Sequence, residues 1–280
     1  MQPETPDFGA RAQLAELMDG PCSRDELRVC LRDLAKVNRW LLGYRPLLGW
    51  LESLELQNVK RPTRILDVGC GYGDTLRRVE RWARERGVAV ELTGIDLNID
   101  TVAIAGQASN AASKIKWVNA DLFEYGSPEP IDLVVSSLFT HHLVEADVVR
   151  FLAWMEQHTT TGWFINDLSR NAVPYHLFRI FSKVMGLHPF VQNDGPVSIA
   201  RAFRPEDWRR MCAAAGLAED EVSIRGYTPG RLCVMRRKPL RRQESGSAAS
   251  FGIRQDREPT TSLGLRVPHG CSFISALRLD

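Results

Sequence analysis

The hydrophobic residues of the chain follow two different periods. Before residue 60 they recur every three to four positions, as in the run ELRVCLRDLAKVNRWLLGY, where Ser23 and Glu26 form a capping-box pattern. This spacing predicts amphipathic helices, with a shorter one at 11–18. From Thr63 onward, short apolar runs alternate with helical segments. The runs that predict strands are 64–68, 88–95, 114–118, 131–136 and 162–166.

The alternation of strands with helices determines the fold class that we expect. Parallel strands need long crossover connections, and the helical segments 74–86, 100–109 and 145–158 supply them. Two more apolar runs, 221–225 and 231–236, are joined by a connection short enough for an antiparallel hairpin. We therefore predict an α/β protein with a doubly wound, Rossmann-like, seven-stranded sheet, mostly parallel with an antiparallel last strand.

Changes in composition divide the chain into three parts. Residues 1–60 are predicted to form an N-terminal helical cap, and residues 61–238 the ligand-binding core. Within the core, residues 168–204 interrupt the strand–helix rhythm. They contain a predicted helix at 174–185 and are too apolar for a plain linker, so they could cover a site. Residues 239–280 are rich in Ser, Arg, Gly and Pro and are predicted to be a flexible tail.

Charge and composition limit the possible partners. Lys and Arg together number 36 and Asp and Glu 34, and the net charge of +2 argues against nucleic acid as the main partner. The sequence has no apolar run long enough for a membrane span and no signal-peptide pattern, which predicts a cytoplasmic protein. The six cysteines form no CxxC pair, so neither a zinc ribbon nor a redox dithiol is indicated. The sequence leaves the oligomeric state open.

A glycine-rich turn follows the first predicted strand, in the stretch ILDVGCGYGD. Gly69, Gly71 and Gly73 stand after a strand and before a helix, where doubly wound sheets bind ligands. Glycine lets a ligand approach the backbone, and the start of the helix offers free N–H groups. A dinucleotide turn would read GxGxxG, but Asp74 takes the place of the third glycine and would repel a pyrophosphate. Asp67 likewise favours a cationic ligand that bears an amino group.

This turn resembles motif I of the class I S-adenosylmethionine (SAM)-dependent methyltransferases. The resemblance covers about residues 60–170, because Asp96, Asp121 and the stretch SSLFTHHL follow the next three strands in that family's order. It implies that Asp67 binds the amino group of SAM, Asp96 the ribose hydroxyls and Asp121 the adenine amine. The cofactor-binding residues that it implies are Asp67, Gly69, Cys70, Gly71, Gly73, Asp96, Leu97, Asp121, Leu122 and Ser136. The stretches LRDLAKVNRW, NDLSR and SIARAF are similar to a bacterial small-molecule subgroup, the quinone and polyketide methylases.

Candidate residues for the chemistry follow the fourth and fifth strands. Methyl transfer to a hydroxyl benefits from a base, and imidazole titrates near neutral pH. His141 and His142 are therefore candidate bases, and Asp167 could orient a histidine or a substrate hydroxyl. The insertion offers possible substrate contacts, namely Tyr175, His176, Asp194 and Arg201. A packing or capping role is the alternative for each of these residues.

Several functions are open at this point. The leading hypothesis is a SAM-dependent methyltransferase that acts on a small, partly apolar acceptor, at oxygen rather than carbon or nitrogen. An NAD(P)-dependent oxidoreductase is an alternative, because Asp96 follows Gly73 by roughly 20 residues, the spacing of its ribose-binding acid. A SAM-binding module without turnover, and an RNA or protein methyltransferase, are others. The strand order discriminates between the methyltransferase and the oxidoreductase, because the dinucleotide fold lacks the antiparallel last strand.

Overall fold

A seven-stranded sheet forms the centre of the computed structural model, which describes residues 6–239. Its strands are β1 (Thr63–Val68), β2 (Val90–Asp96), β3 (Lys116–Asn119), β4 (Ile131–Ser137), β5 (Thr159–Leu168), β6 (Val222–Tyr227) and β7 (Arg231–Arg237). Their order in the sheet is β3-β2-β1-β4-β5-β7-β6. Strands β1 to β5 run parallel, whereas β7 is antiparallel to both of its neighbours, β5 and β6. This topology confirms the predicted fold class.

Helices cover both faces of the sheet. They are α1 (Arg24–Trp40), α2 (Arg45–Ser53), α3 (Asp74–Arg86), α4 (Ile99–Gln107), α5 (Glu145–His158), α6 (Ala172–Val184), α7 (Pro189–Arg201) and α8 (Pro205–Ala214). Helices α2 and α3 pack on one face, around Trp50, Leu76 and Phe164. Helices α5 and α8 pack on the other face, around Phe151 and Met211. The two faces together bury the central strands, as their nearly continuous apolar sequences require.

The beginning of the described chain is bound to the insertion rather than folded as a helix. The helix predicted at 11–18 is wrong, because residues 6–20, which we call the N-terminal strap, are irregular except for a 3-10 turn at Leu17–Asp19. The backbone of the strap finds partners far away in the sequence. The N–H of Ala12 donates to the carbonyl of Ala200 on α7 at 3.1 Å. This long-range pairing replaces the local hydrogen bonds of a helix.

The insertion at 168–204 forms the two helices α6 and α7, which pack against each other. Helix α6 was predicted, but α7 was not, because Gly195 and Pro196 interrupt its sequence. Glycine is needed at position 195, since a Cβ there would overlap the ring of Phe178 on α6. Packing against α6 therefore overrides the low helix propensity of Gly and Pro.

One further prediction, the lack of a membrane-spanning helix, can be compared with the described residues. Within residues 6–239, no helix combines the length and the apolarity that crossing a bilayer would require. The predicted tail lies outside the described residues from residue 240 onward. The boundary between an N-terminal cap and the core at residue 60 stays a prediction.

Candidate active site

A cleft lies at the carboxyl ends of β1, β2 and β4, where the glycine turn meets the start of α3. Its first half, which we call the strap half, is lined by Glu16, Met18, Leu31, Leu34, Asn38, Asp67, Gly69, Cys70, Gly71, Tyr72, Asp74, Thr75, Ser137, Leu138 and His142. Its second half, the Asp96 half, is lined by Val68, Gly69, Ile95, Asp96, Leu97, Ala120, Asp121, Leu122, Phe123, Leu138, Phe139 and His142. The two halves meet at Gly69, Leu138 and His142, which line both.

The three glycines of the turn have different structural tasks. All adopt positive φ, at 67° for Gly69, 52° for Gly71 and 75° for Gly73. A Cβ at Gly69 would come within 2.6 Å of the Phe139 ring, and one at Gly73 would overlap Trp117. A Cβ at Gly71 would meet nothing within 4 Å. Gly69 and Gly73 therefore permit close packing, whereas Gly71 keeps space open for a ligand in the strap half.

Carboxyl groups give the strap half its electrostatic character. Asp67 ends β1 and is 1% exposed, and its Oδ1 atom has no hydrogen-bond partner among the described residues. Burial, and then the nearby Asp74 and Asp96, raise the pKa of Asp67 well above its usual value. Asp74 is held by the Tyr44 hydroxyl, which donates to its Oδ2 atom at 2.5 Å. A cation bound in the cleft would stabilise this group of carboxylates.

In the other half of the cleft, Asp96 ends β2 and is oriented by the backbone. Its Oδ2 atom accepts the N–H of Gly71 at 3.1 Å, and its Oδ1 atom accepts the N–H of Asn98 at 3.0 Å. Burial raises the pKa of Asp96 to about 6. Each carboxylate oxygen keeps a second lone pair, with which it can accept a hydrogen bond from a hydroxyl group of a ligand.

Apolar side chains surround Asp96 in its half of the cleft. Leu97, Leu122 and Phe123 contribute this surface. Asp121 is fixed beside them, because its Oδ1 atom accepts the N–H of Phe123 at 2.7 Å. Such an apolar surface with a polar edge suits a nucleobase.

Comparison with known proteins assigns this arrangement to a family. Residues 65–162, which include the glycine turn, Asp96 and His142, match the family model described as "Methyltransferase domain". The chain therefore carries a methyltransferase domain. The antiparallel β7 agrees with this assignment and argues against the oxidoreductase alternative.

Solved methyltransferases share the fold of this methyltransferase. The plantazolicin methyltransferase BpumL, solved with SAH, superimposes with a TM-score of 0.55 at 14% identity over 76% of this chain and 95% of that chain. Human N-acetylserotonin methyltransferase, solved with SAM, gives a TM-score of 0.53 at 14% identity, and the match covers 77% of this chain and 56% of that chain. A putative O-methyltransferase from Nostoc punctiforme PCC 73102 gives a TM-score of 0.52 at 18% identity, and the match covers 82% of this chain and 65% of that chain. At these identities the likeness shows the fold.

Behind the cleft of the methyltransferase, His141 belongs to a buried hydrogen-bonded pair. Its Nδ1 atom lies 2.7 Å from Oδ1 of Asp167. The Oδ2 atom of Asp167 accepts the N–H of His141 at 2.9 Å and also the Thr140 hydroxyl. Burial acts to raise the pKa of Asp167. His141 and these hydrogen bonds outweigh burial and hold the pKa of Asp167 well below its usual range. The Nε2 atom of His141 faces the strap, 3.8 Å from Oε1 of Glu16.

His142 brings an imidazole to the junction of the two halves. Its ring centroid lies 4.2 Å from that of His141. Burial, and then His141 and Arg201, lower the pKa of His142 well below its usual value. The imidazole is therefore neutral near pH 7 and can accept a proton. Of the two predicted bases, the structure places His142 in the cleft and His141 behind it.

Glu16 reaches the two histidines from the strap. Its Oε2 atom lies 3.9 Å from Nε2 of His142, and burial raises the pKa of Glu16 to about 7. The ligand atoms of Glu16, His141 and His142 lie within 4.8 Å of one another, a composition that metal sites share. Arg201 already provides a cation here, because its Nη1 atom lies 3.5 Å from Oε1 of Glu16. We therefore describe the cluster as a polar group around Glu16 in which Arg201 supplies the positive charge.

Two residues predicted from the sequence to contact ligands have structural roles outside the cleft. The buried Ser136 hydroxyl donates to the carbonyl of Val68 at 2.9 Å and so joins β4 to β1. Asp194 on α7 anchors the strap, because its carboxylate accepts the N–H groups of Leu17 and Met18 at 2.8 and 3.0 Å. Neither side chain is among the described residues that line the cleft.

The other substrate candidates from the insertion also lie away from the cleft lining. Tyr175 is buried against Phe8, with ring centroids 5.2 Å apart, and His176 is exposed on α6. The Nη1 atom of Arg201 lies 3.3 Å from Oδ2 of Asp19 in the strap. These positions do not support the predicted substrate contacts of Tyr175 and His176, and they place Arg201 behind Glu16.

The strap half contains residues that the sequence did not indicate. Glu16 and Met18 come from the strap, and Leu31 and Asn38 come from α1. Helix α1 was predicted, but its amphipathic pattern does not reveal what its buried face covers. No motif marks Glu16 as a cleft residue, because the hydrogen-bond and ion-pair partners of its carboxyl group are 120 or more positions away along the chain.

Proposed function

We propose that this methyltransferase transfers the methyl group of SAM to a hydroxyl oxygen of a small, partly apolar acceptor. The observation that carries the proposal is the position of His142, where the two halves of the cleft meet. The buried His141–Asp167 pair lies directly behind it. A cytoplasmic location and an acceptor of the quinone or polyketide type, both predicted from the sequence, are part of this proposal.

The residues of the cleft suit the cofactor. SAM supplies an activated methyl group and carries positive charge on its ammonium and sulfonium groups. Asp67, whose Oδ1 atom lacks a partner among the described residues, would hold the ammonium group beside the open backbone at Gly71. Asp96 would accept hydrogen bonds from the ribose hydroxyls, and Leu97 and Leu122 would contact the adenine.

The acceptor would occupy the remainder of the strap half. Met18, Leu31 and Leu34 provide apolar surface there, and Asn38 and Glu16 provide polar groups. A ring or alkyl chain that carries a hydroxyl group matches this mixture of surfaces. A bulky polymer would have to pass the strap and α1, which favours a small molecule.

A proton must leave the acceptor when its oxygen bonds to the methyl carbon. As that bond forms and the carbon–sulfur bond breaks, we assign the proton to His142, which is neutral before the reaction because its pKa is low. The imidazolium then faces the Glu16 carboxyl group, 3.9 Å away. His141 and Asp167 keep the neighbouring backbone and ring in place, and are positioning residues.

Acceptors that differ only in their nucleophile test the proposal. Purified protein is incubated with SAM and with a phenol, an aniline and a thiophenol that share one apolar substituent, and products are identified by mass spectrometry. We expect the methyl ether as the main product. The variant His142→Ala should lower kcat on the phenol by roughly 10²- to 10⁴-fold, while the calorimetric Kd for SAM stays within about twofold.

The control is His158→Ala, since His158 is exposed on α5 and does not line the cleft. It should behave like the wild-type protein. Methylation confined to the aniline or the thiophenol would contradict the proposed oxygen. Unchanged phenol methylation by His142→Ala would contradict the proposed base. Neither result would affect the assignment of SAM as cofactor, which the calorimetry measures separately.

A further inference from the structure

The outer face of α6 is apolar although it faces water. Val173, Leu177, Ile180 and Val184 are 65%, 59%, 63% and 78% exposed. They lie three or four positions apart, so they form one stripe along the helix. Isolated exposed apolar residues are common on proteins, but a contiguous row of four on one helix indicates an interaction surface.

The opposite side of α6 is already used for packing. Tyr175 and Ser182 are buried, and Phe178 packs against Gly195 of α7. The exposed stripe is therefore a second apolar side, separate from the side that holds α6 on the protein. No described residue covers it.

Basic and aromatic residues flank the stripe. Arg179 and Lys183 are on α6, and residues 168–193 contain no Asp or Glu. Near the other flank, the Phe181 ring lies 6.2 Å from that of Trp40, which is 39% exposed at the end of α1. Aliphatic residues with a cationic flank and an exposed tryptophan are typical of helices that lie in the interface of an anionic membrane.

We propose that the outer face of α6 docks on an anionic lipid bilayer, with the helix parallel to the membrane plane. The charge favours lipid over a second copy of this chain, because pairing two such faces would bring like charges together without local acids to offset them. Helix α6 has 13 residues and is about 20 Å long. It is too short to cross a hydrocarbon core of about 30 Å, so it would lie on the surface. This inference does not depend on the proposed acceptor.

Vesicle co-sedimentation of the full chain tests the proposal. The probes are vesicles of phosphatidylcholine alone and vesicles that contain phosphatidylglycerol. We expect binding to the anionic vesicles, at least tenfold weaker binding to the neutral ones, and a decrease at high salt. Ile180→Glu should weaken binding to the anionic vesicles at least tenfold, and Lys183→Glu should weaken it less. Both side chains are exposed, so the variants should fold, which circular dichroism and the Kd for SAM verify.

The matched control is Ile99→Glu, because Ile99 is 64% exposed on α4, outside this face. It should bind vesicles like the wild-type protein. Absence of binding by the full chain, or an equal loss in Ile99→Glu, would overturn the proposal. So would light scattering that shows a wild-type dimer, converted to a monomer by Ile180→Glu, without vesicle binding. Methyl transfer to a dissolved acceptor is measured without vesicles. A failure of the proposed function would therefore appear as missing methyl transfer, and a failure of the membrane proposal as missing vesicle binding.

Discussion

The imidazole of His141 and the carboxylate of Asp167 form a hydrogen bond of 2.7 Å in which both partners are 2% exposed. The carboxylate also accepts the Leu168 N–H at 2.7 Å, in addition to the donors from Thr140 and His141. So many donors keep the carboxylate ionised and fix the loop that follows β4. Because His142 is the next residue along that loop, the pair determines where the proposed base stands.

The first prediction concerns this pair. Asp167→Asn places an amide group where the carboxylate accepts several N–H and O–H donors, so His141 loses its acceptor or turns. We expect kcat for methyl transfer to fall by roughly 10²-fold or more, and the pH profile of kcat to change, because His142 is displaced. The Kd for SAM should stay within about twofold. Steady-state kinetics and calorimetry measure the two effects.

The control for this prediction is Asp207→Asn. Asp207 also accepts several hydrogen bonds, among them one from Arg170 at 3.0 Å, but it lies outside the cleft. It should lose stability without a comparable loss of kcat. Equal kinetic effects in both variants would show that Asp167 acts through stability alone.

The second prediction separates the glycines of the turn. Gly71→Ala places a methyl group in the open space of the strap half at a φ of 52°. We expect about 1 kcal/mol of lost stability from the left-handed backbone and at least a tenfold higher Kd for SAM. Gly87→Ala is the matched control, because Gly87 has a φ of 65° and equal free space at the far end of α3. Gly87→Ala should lose a similar amount of stability and keep the wild-type Kd for SAM. Equal Kd values for SAM in the two variants would contradict the proposed role of Gly71 in keeping ligand space open.

The third prediction concerns pH. Because burial raises the pKa of Asp96 to about 6, this carboxyl group is protonated below that pH and ionised above it. Ribose hydroxyls donate best to the ionised form, so protonation competes with binding and affinity falls as the pH falls. We expect the Kd for SAM to rise roughly tenfold per pH unit below about 6. Calorimetry should show weaker binding and a flatter pH dependence for Asp96→Asn; an unchanged slope would assign the titration to another group.

Several elements that surround the cleft could be predicted from the sequence. The bounds of α3 and α5 were predicted correctly, because each helix shows an amphipathic pattern over its whole length and α3 ends at Gly87. The ends of β1 and β2 place Asp67 and Asp96 at the same edge of the sheet, as parallel pairing requires. Residues whose positions follow from local pattern and strand order were therefore predictable.

The acceptor side of the cleft could not be predicted in the same way. Glu16 reaches His142 from the strap, where Asp194 holds the turn that follows it and Ser198 and Arg201 hold its carboxyl group. These contacts join residues far apart in the chain. Leu138 lines both halves with a φ of 56°, a conformation that leucine rarely adopts and that no sequence pattern marks. Helix α7, which carries Asp194, was itself hidden by Gly195 and Pro196.

The last prediction concerns the end of the sheet opposite the cleft, where the buried Asp132 begins β4. It accepts two hydrogen bonds from the Arg61 guanidinium at 2.7 and 2.6 Å, the Arg64 N–H at 2.9 Å and the Thr160 hydroxyl at 2.7 Å. It therefore connects the first residues of β1, β4 and β5. Although burial acts to raise it, these donors hold the pKa of Asp132 below its usual value.

Asp132→Ala should lower the free energy of unfolding by about 2 kcal/mol, because it leaves buried donors unpaired. The half-exposed Arg61 side chain can return to water, so its loss of a partner adds little to this cost. The lowered pKa means that this stability is present above the unfolded value of 3.8 and is lost as the pH falls below it. Urea unfolding should therefore show a difference from wild type at pH 7 that narrows below about pH 4. The control is Glu91→Ala, which removes an exposed partner of Arg64 and should change stability by less than about 0.5 kcal/mol. A pH-independent difference for Asp132→Ala would show that packing, not the charged network, accounts for its effect.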